Sequence, residues 1–150
     1  MIAVIGASGR IGVELCRALS EAGRAYRPVV RDAARWAATG LPGTPHLATL
    51  EEPERLAAAL EGASVVVSTA HARNTPAVLN AAPADARLVL VGSTRRFSAF
   101  PDAHGNGVRA GEAAFLASGR PGVMLHPTMI YGGPGEQNVQ RLAALLRRLP

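Results

Sequence analysis

The feature that most constrains this chain is its opening stretch, "IAVIGASGRIGVELCRAL". A short apolar run leads into Gly6, Gly9 and Gly12, spaced at i, i+3 and i+6, and then into a helical pattern. Strand, glycine turn and helix in that order leave few options. Gly6 permits a tight turn. Gly9 lets the backbone approach a bound anion with no Cβ in the way, and Gly12 lets the helix pack against the strand. The free N–H groups at the helix start, and the positive end of its dipole, then face a pyrophosphate.

The same alternation runs through the chain. After "IAVIGA", residues 10–22 place Ile11, Leu15, Ala18, Leu19 and Ala22 on one helical face, and Gly23 stops that helix. "AYRPVVR" reads as a second strand, distorted at Pro28 because proline cannot donate to a ladder. "DAARWAATG" is a short helix, "TPHLATL" a weak third strand, and "EEPERLAAALEG" a helix with Pro53 in its first turn. "ASVVVSTA" is a buried strand. "TPAVLNAA" is a short helix with Thr75 as its cap, and "RLVLVGST" is another buried strand. Residues 97–107 read as a loop, "VRAGEAAFLASG" as a helix and "PGVMLHPT" as a strand. "YGGPGEQN" is a glycine-rich turn before a terminal amphipathic helix, "NVQRLAALLRRL". Continuous Val/Ile/Leu strands separated by helices predict an α/β fold. Its sheet is parallel, doubly wound and of about six strands, in one domain spanning 1–150.

Composition removes several function classes. No apolar stretch is long enough to span a bilayer, so no membrane partner is expected. The single cysteine, Cys16, forms no internal disulfide and no cysteine metal site, and it reads as a small core residue. Met1 leads straight into a strand, so no targeting peptide is expected and the cytoplasm is the expected compartment. The net charge of +5 would suit nucleic acid, but the sixteen basic residues are all arginine and scattered, and aromatics are 4%. No nucleic-acid partner is expected. The absence of lysine also rules out a Schiff base or a lysine-assisted proton relay. The four histidines have no metal-ligand spacing, so no metal site is expected.

The end of the second strand reads "VVRD". An acidic residue there takes the ribose 2′-hydroxyl of NAD, and an arginine accommodates the 2′-phosphate of NADP. Arg31 leads, with Arg10 in the glycine loop, so NADP is favoured; Asp32 keeps NAD open.

The stretches "IGASGRIG", "LEEPERLAAALEGASVVVSTA", "LVLVGST", "RAGEAAFLASG" and "VMLHPTMIYGGPGEQNVQRL" resemble the short-chain dehydrogenase/reductase superfamily. The resemblance is to its extended and atypical branch, the NAD-dependent epimerase/dehydratase-like and NmrA-like proteins. It covers most of the chain and implies a Rossmann fold. It implies that Gly6, Ser8, Gly9, Arg10 and Ile11 line the pyrophosphate and that Arg31 meets the adenosine end. Ala70 and His71 would lie beside the nicotinamide-side ribose. Ser93 and Thr94 match the catalytic serine or threonine, and Pro127 with Thr128 and Met129 would flank the nicotinamide.

The chain departs from that pattern in three ways. The Tyr-x-x-x-Lys pair is missing: alignment on Glu112 puts His104 at the tyrosine and Val108 at the lysine. His126 replaces the arginine of "LRP", and Thr49 replaces an aspartate after the third strand. The chain also stops at Pro150, short of most of the usual C-terminal substrate lobe. His104 is the candidate proton donor, with an exposed loop histidine as the alternative. Arg95 and Arg96 read either as an anion site or as a solvated loop. The apolar stripe of the terminal helix is expected either to close the core or to serve a homodimer.

Two functions remain open on the sequence alone. One is an oxidoreductase moving hydride between NADP(H) and a small carbonyl substrate, through Ser93, Thr94 and His104. The other is a non-catalytic NAD(P)-binding sensor or assembly protein.

Overall fold

A computed structural model describes residues 1–100, 102–132 and 138–148. Six parallel strands form one sheet in the order β3-β2-β1-β4-β5-β6. The strands are β1 (Ile2–Ile5), β2 (Tyr26–Val30), β3 (His46–Leu47), β4 (Val65–Ser68), β5 (Arg87–Val91) and β6 (Gly122–Leu125). Between them run α1 (Arg10–Glu21), α2 (Ala33–Ala37), α3 (Pro53–Leu60), α4 (Thr75–Ala81) and α5 (Ala103–Ala117); α6 (Asn138–Leu146) follows β6. The reversal of direction between β1 and β4 opens a crevice at the carboxyl ends of those strands, where doubly wound folds bind ligands. The expected Rossmann-like architecture is therefore present.

Alternate strand residues feed two cores. Ala3, Ile5, Val29, Val66, Leu88 and Leu90 pack with the buried residues of α3 and α4 and with Phe115 of α5. On the other face, Val4 and Val30 pack with Cys16, Leu15 and Leu19 of α1 and Trp36 of α2. The inward stripe of α1 is Gly12, Cys16 and Leu19 with Leu15. Ala18 and Ala22 are exposed instead of facing the core. Cys16 is fully buried, and burial pushes its thiol up to about 11.

Pro28 causes no distortion. Val29 offers its carbonyl to the loop after β1, and Val30 offers its own to Ala48 beyond β3. Backbone groups alternate sides, so the Pro28 nitrogen faces β3, whose pairing begins only at Val29. No ladder donor is required there. The third strand is shorter than expected, and Thr75 opens α4 rather than capping it.

The loop expected at 97–107 is largely helix. Asp102 caps α5 through Oδ1, which accepts the Gly105 N–H at 2.6 Å, and the helix begins at Ala103. Gly105 and Gly107 disguise this in the sequence, because glycine disfavours helix interiors. Their lack of side chains is what lets α5 lie close to the turns after β4 and β5. Further along, a Cβ on Gly111 would overlap the Ala72 carbonyl.

One part of the second face is only partly covered by the described residues. Val67, Val89 and Val123 lie abreast of Val4 in register, but they belong to neither core. Val123 and Leu125 are 44% and 51% exposed. Leu142, Leu145 and Leu146 of α6 are more than half exposed, so of the two expected roles α6 does not take that of closing the core. The glycine-rich turn "YGGPGEQN" falls largely outside the described residues.

Candidate functional site

The site starts at Gly6, which takes φ +77° directly after β1. The Thr69 hydroxyl lies 3.0 Å from the Ile5 carbonyl and 3.2 Å from that of Gly6, so the end of β4 pins this turn. A Cβ on Gly6 would come within 2.7 Å of that hydroxyl. One on Gly12 would overlap the Gly6 carbonyl, so helix and turn meet backbone to backbone. Gly9 caps α1 without a side-chain hydrogen bond. The first N–H groups of a 12-residue helix are thus left open to an anion.

A cleft of about 330 Å³ runs from this turn across the strand ends. Gly6, Ser8, Gly9, Arg31, Ala70 and His71, all singled out from the sequence, line it. Thr49 lines it too. Arg10 and Ile11 line an adjoining groove that shares Ser8, Gly9, Thr69 and Arg35 with the cleft and is also lined by Ile130 and Tyr131.

Charge at the β2 end is decided by a cap. Asp32 Oδ1 accepts the N–H groups of Ala34 at 2.8 Å and Arg35 at 3.2 Å, so the carboxylate is engaged in starting α2. Arg10, Arg31 and Arg35 are exposed and form no side-chain hydrogen bond or ion pair with another described residue. Arg35 and Thr69 also line the cleft and are not singled out by the sequence. For Arg35 there was a signal, its place one turn past Asp32.

At the other end, His71 follows β4. Its Nδ1 accepts the Arg73 N–H at 3.0 Å, which leaves the proton on Nε2. Nε2 is buried and has no partner among the described residues. Burial, followed by the nearby charges of His104 and Arg73, lowers the pKa of His71. The His104 ring lies perpendicular to that of His71, with centroids 4.2 Å apart.

Ser93, Thr94 and Pro127 come together at the ends of β5 and β6, outside the cleft lining. Ser93 Oγ accepts the Arg95 N–H at 3.2 Å, which leaves its own hydrogen free. Thr94 Oγ1 donates to the Pro127 carbonyl at 3.4 Å, so its hydrogen is taken. Arg95 pairs with Asp102 at 2.8 Å and Arg96 with Glu112 at 2.6 Å, so neither is an open anion site. The other oxygen of Glu112 reaches His126 Nε2 at 3.1 Å and ties α5 to the end of β6. Among the described residues no group of His, Cys, Asp and Glu could hold a metal, and no helix is long and apolar enough to cross a membrane.

The glycine cradle, the open helix end and the three arginines fit a dinucleotide. A family model described as NAD(P)H-binding matches residues 6–114. No curated protein matches the sequence. Among solved structures, a short-chain dehydrogenase/reductase superfamily protein from Agrobacterium tumefaciens with bound NAD aligns with TM-score 0.68 and 21% identity. The alignment covers 84% of this chain and 48% of that one. The NADPH-dependent quinone oxidoreductase of Escherichia coli, complexed with NADPH, aligns with TM-score 0.68 and 20% identity over 84% of this chain and 48% of that one. A protein from Thermus thermophilus described as a short-chain oxidoreductase aligns with TM-score 0.70 and 22% identity over 99% of this chain and 96% of that one. These identities speak to the fold. The chain spans about half the length of the first two proteins.

Proposed function

The chain belongs to the NAD(P)H-binding family, and on that premise we propose that it binds NADP(H) and moves hydride between NADP(H) and a small carbonyl or quinone substrate. The observation that carries the cofactor choice is the β2 end, where Asp32 is engaged as a cap while Arg31 and Arg35 are unpaired. In this reading the N–H groups around Gly9 and Arg10 hold the pyrophosphate, with Gly6, Ser8, Ile11 and Gly12 shaping the turn. Arg31 and Arg35 take the 2′-phosphate. Ala70 and His71 border the ribose on the nicotinamide side, and Pro127 closes the far end.

When bound, the dinucleotide supplies a hydride, that is, one hydrogen with two electrons. The chain's own residues supply polarisation and a proton. The free Ser93 hydrogen suits it to polarise a carbonyl oxygen, a task for which the engaged Thr94 hydroxyl is less suited. His104 is the proton donor. The NADPH-dependent quinone oxidoreductase of the same fold supports a quinone as one acceptor to test.

The rival is a non-catalytic dinucleotide sensor. The specific observation in its favour is the missing lysine, together with a Thr94 hydroxyl whose hydrogen is taken by the Pro127 carbonyl. Steady-state NADPH consumption with a panel of quinones and aldehydes separates the two. Turnover that falls at least tenfold in Ser93→Ala supports the oxidoreductase, whereas binding without turnover across the panel supports the sensor.

We further take residues 1–150 as one dinucleotide-binding domain. A homodimer is the proposed assembly, supported by the exposed leucines of α6 and the uncovered face of β4–β6. The lone buried cysteine suits a reducing, cytoplasmic setting.

A further inference from the structure

We propose that Asn74 reads the nucleobase of the dinucleotide and makes the cleft selective for the 6-amino group of adenine. The inference rests on the reading of the cleft as the NADP(H) site, and it makes Asn74 a specificity-determining residue of that site. Asn74 is the last residue before α4 and lines the cleft. Its backbone is held, the N–H donating to the His71 carbonyl at 3.0 Å. Its side chain is half-buried and forms no hydrogen bond with another described residue.

The position makes that freedom informative. An asparagine just before a helix ordinarily turns its side-chain oxygen onto the first N–H groups of that helix. Asn74 does not: its φ of −89° and ψ of 5° depart from the extended backbone of a cap, and its amide makes no capping bond. A half-buried amide in a cleft, with two donors and an acceptor unspent on the protein, is suited to a ligand that supplies both kinds of partner.

The surroundings fit a base. Arg31 and Arg35 mark the 2′-phosphate end of the cleft, and the base joined to that ribose belongs at the same end. Ala48, Leu50 and Leu56 give this end an apolar lining. α4 packs beside α3 in the core that contains Leu56, which brings the residue before α4 close to that lining. Two other polar side chains here are less suited. Thr49 stands where the resemblance has an aspartate, but its side chain is turned to Glu52. That hydrogen bond, opposed by burial and aided by Arg55, holds the Glu52 carboxyl below its ordinary value. Glu51 is exposed, and its carboxylate only accepts.

On its N7 edge adenine offers one acceptor, N7, and one donor, the 6-amino group. An asparagine amide matches both, its nitrogen donating to N7 and its oxygen accepting from the amino group. A 6-oxo purine offers two acceptors on that edge. The amide oxygen then loses its donor and meets an acceptor instead.

Isothermal titration with NADPH and with its hypoxanthine analogue, in which a 6-oxo group replaces the 6-amino group, tests this. The wild type is expected to bind NADPH more tightly by about fivefold or more. In Asn74→Ala the affinity for NADPH falls by about fivefold or more and that for the analogue changes by less than about twofold. The preference is then lost, while the thermal melt stays that of the wild type. Equal affinity of the wild type for the two dinucleotides, or an Asn74→Ala variant that weakens both alike, overturns the base reading and leaves the NADP(H) site standing. No heat from NADPH with the wild type overturns that site and the role of Asn74 with it.

Discussion

At Gly12 a single methyl group decides whether the turn after β1 can form. A Cβ there would overlap the Gly6 carbonyl and crowd the Ala7 backbone, neither of which can move without breaking the turn. Gly12→Ala is expected to cost about 2 kcal/mol or more in denaturant unfolding, at the upper end of overpacking penalties. Substitution of Arg31 and Arg35 is expected to change affinity instead of stability, since both are exposed and unpaired among the described residues. Replacing both by alanine is expected to weaken NADPH binding by roughly 10- to 100-fold, the worth of one or two charge-assisted hydrogen bonds. NADH binding should hold; calorimetry with both dinucleotides checks it. Cys16 offers a third test. Burial raises its thiol from 9.0 to about 11, so alkylation at pH 8 should be slow in the native protein and fast in denaturant. The raised value also means that this contribution to stability is full below 9.0 and is lost as pH rises through about 11.

At the scale of elements, α5 packs closely against the turns after β4 and β5. Its cap, Asp102, is held below its ordinary 3.8, first by the Gly105 N–H and then by Arg95. A lowered carboxyl stabilises the fold above that ordinary value and ceases to do so as pH falls through its folded value. Asp102→Asn should therefore be less stable than wild type at pH 7 and lose less on acidification; thermal melts from pH 7 to pH 3 read both. This helix also marks the limit of what the sequence discloses. The glycine loop, the strand–helix alternation and the Arg31 position are legible because each rests on local spacing. The true start of α5 is hidden, since Gly105 and Gly107 serve contacts with distant turns against their own helix propensity. The His71–His104 contact has no periodicity to announce it. Arg35 becomes visible only once Asp32 is seen to be engaged in its cap, and Thr69 only once its hydroxyl is seen against the Ile5 and Gly6 carbonyls.

For the molecule as a whole, the unusual feature is a parallel sheet that the described residues cover on one face and only half cover on the other. Parallel sheets normally bury both faces. Val123, Leu125 and the α6 leucines leave an apolar surface that in a second copy would find its own complement. Light scattering after size exclusion is expected to give a dimer mass, and Leu142→Glu with Leu146→Glu to give a monomer that keeps its melting transition. A wild-type monomer at every concentration would contradict the homodimer. The chain also spans only about half the length of two of the solved proteins that share its fold. None of this alters the cleft at the ends of β1, β2 and β4, where the family assignment and the geometry coincide. Isothermal titration with NADPH and with NADH tests that point most directly. One NADPH site per chain is expected, at least tenfold tighter than NADH, with binding lost in Gly12→Ala. No heat from either dinucleotide, or NADH bound more tightly than NADPH, would contradict it.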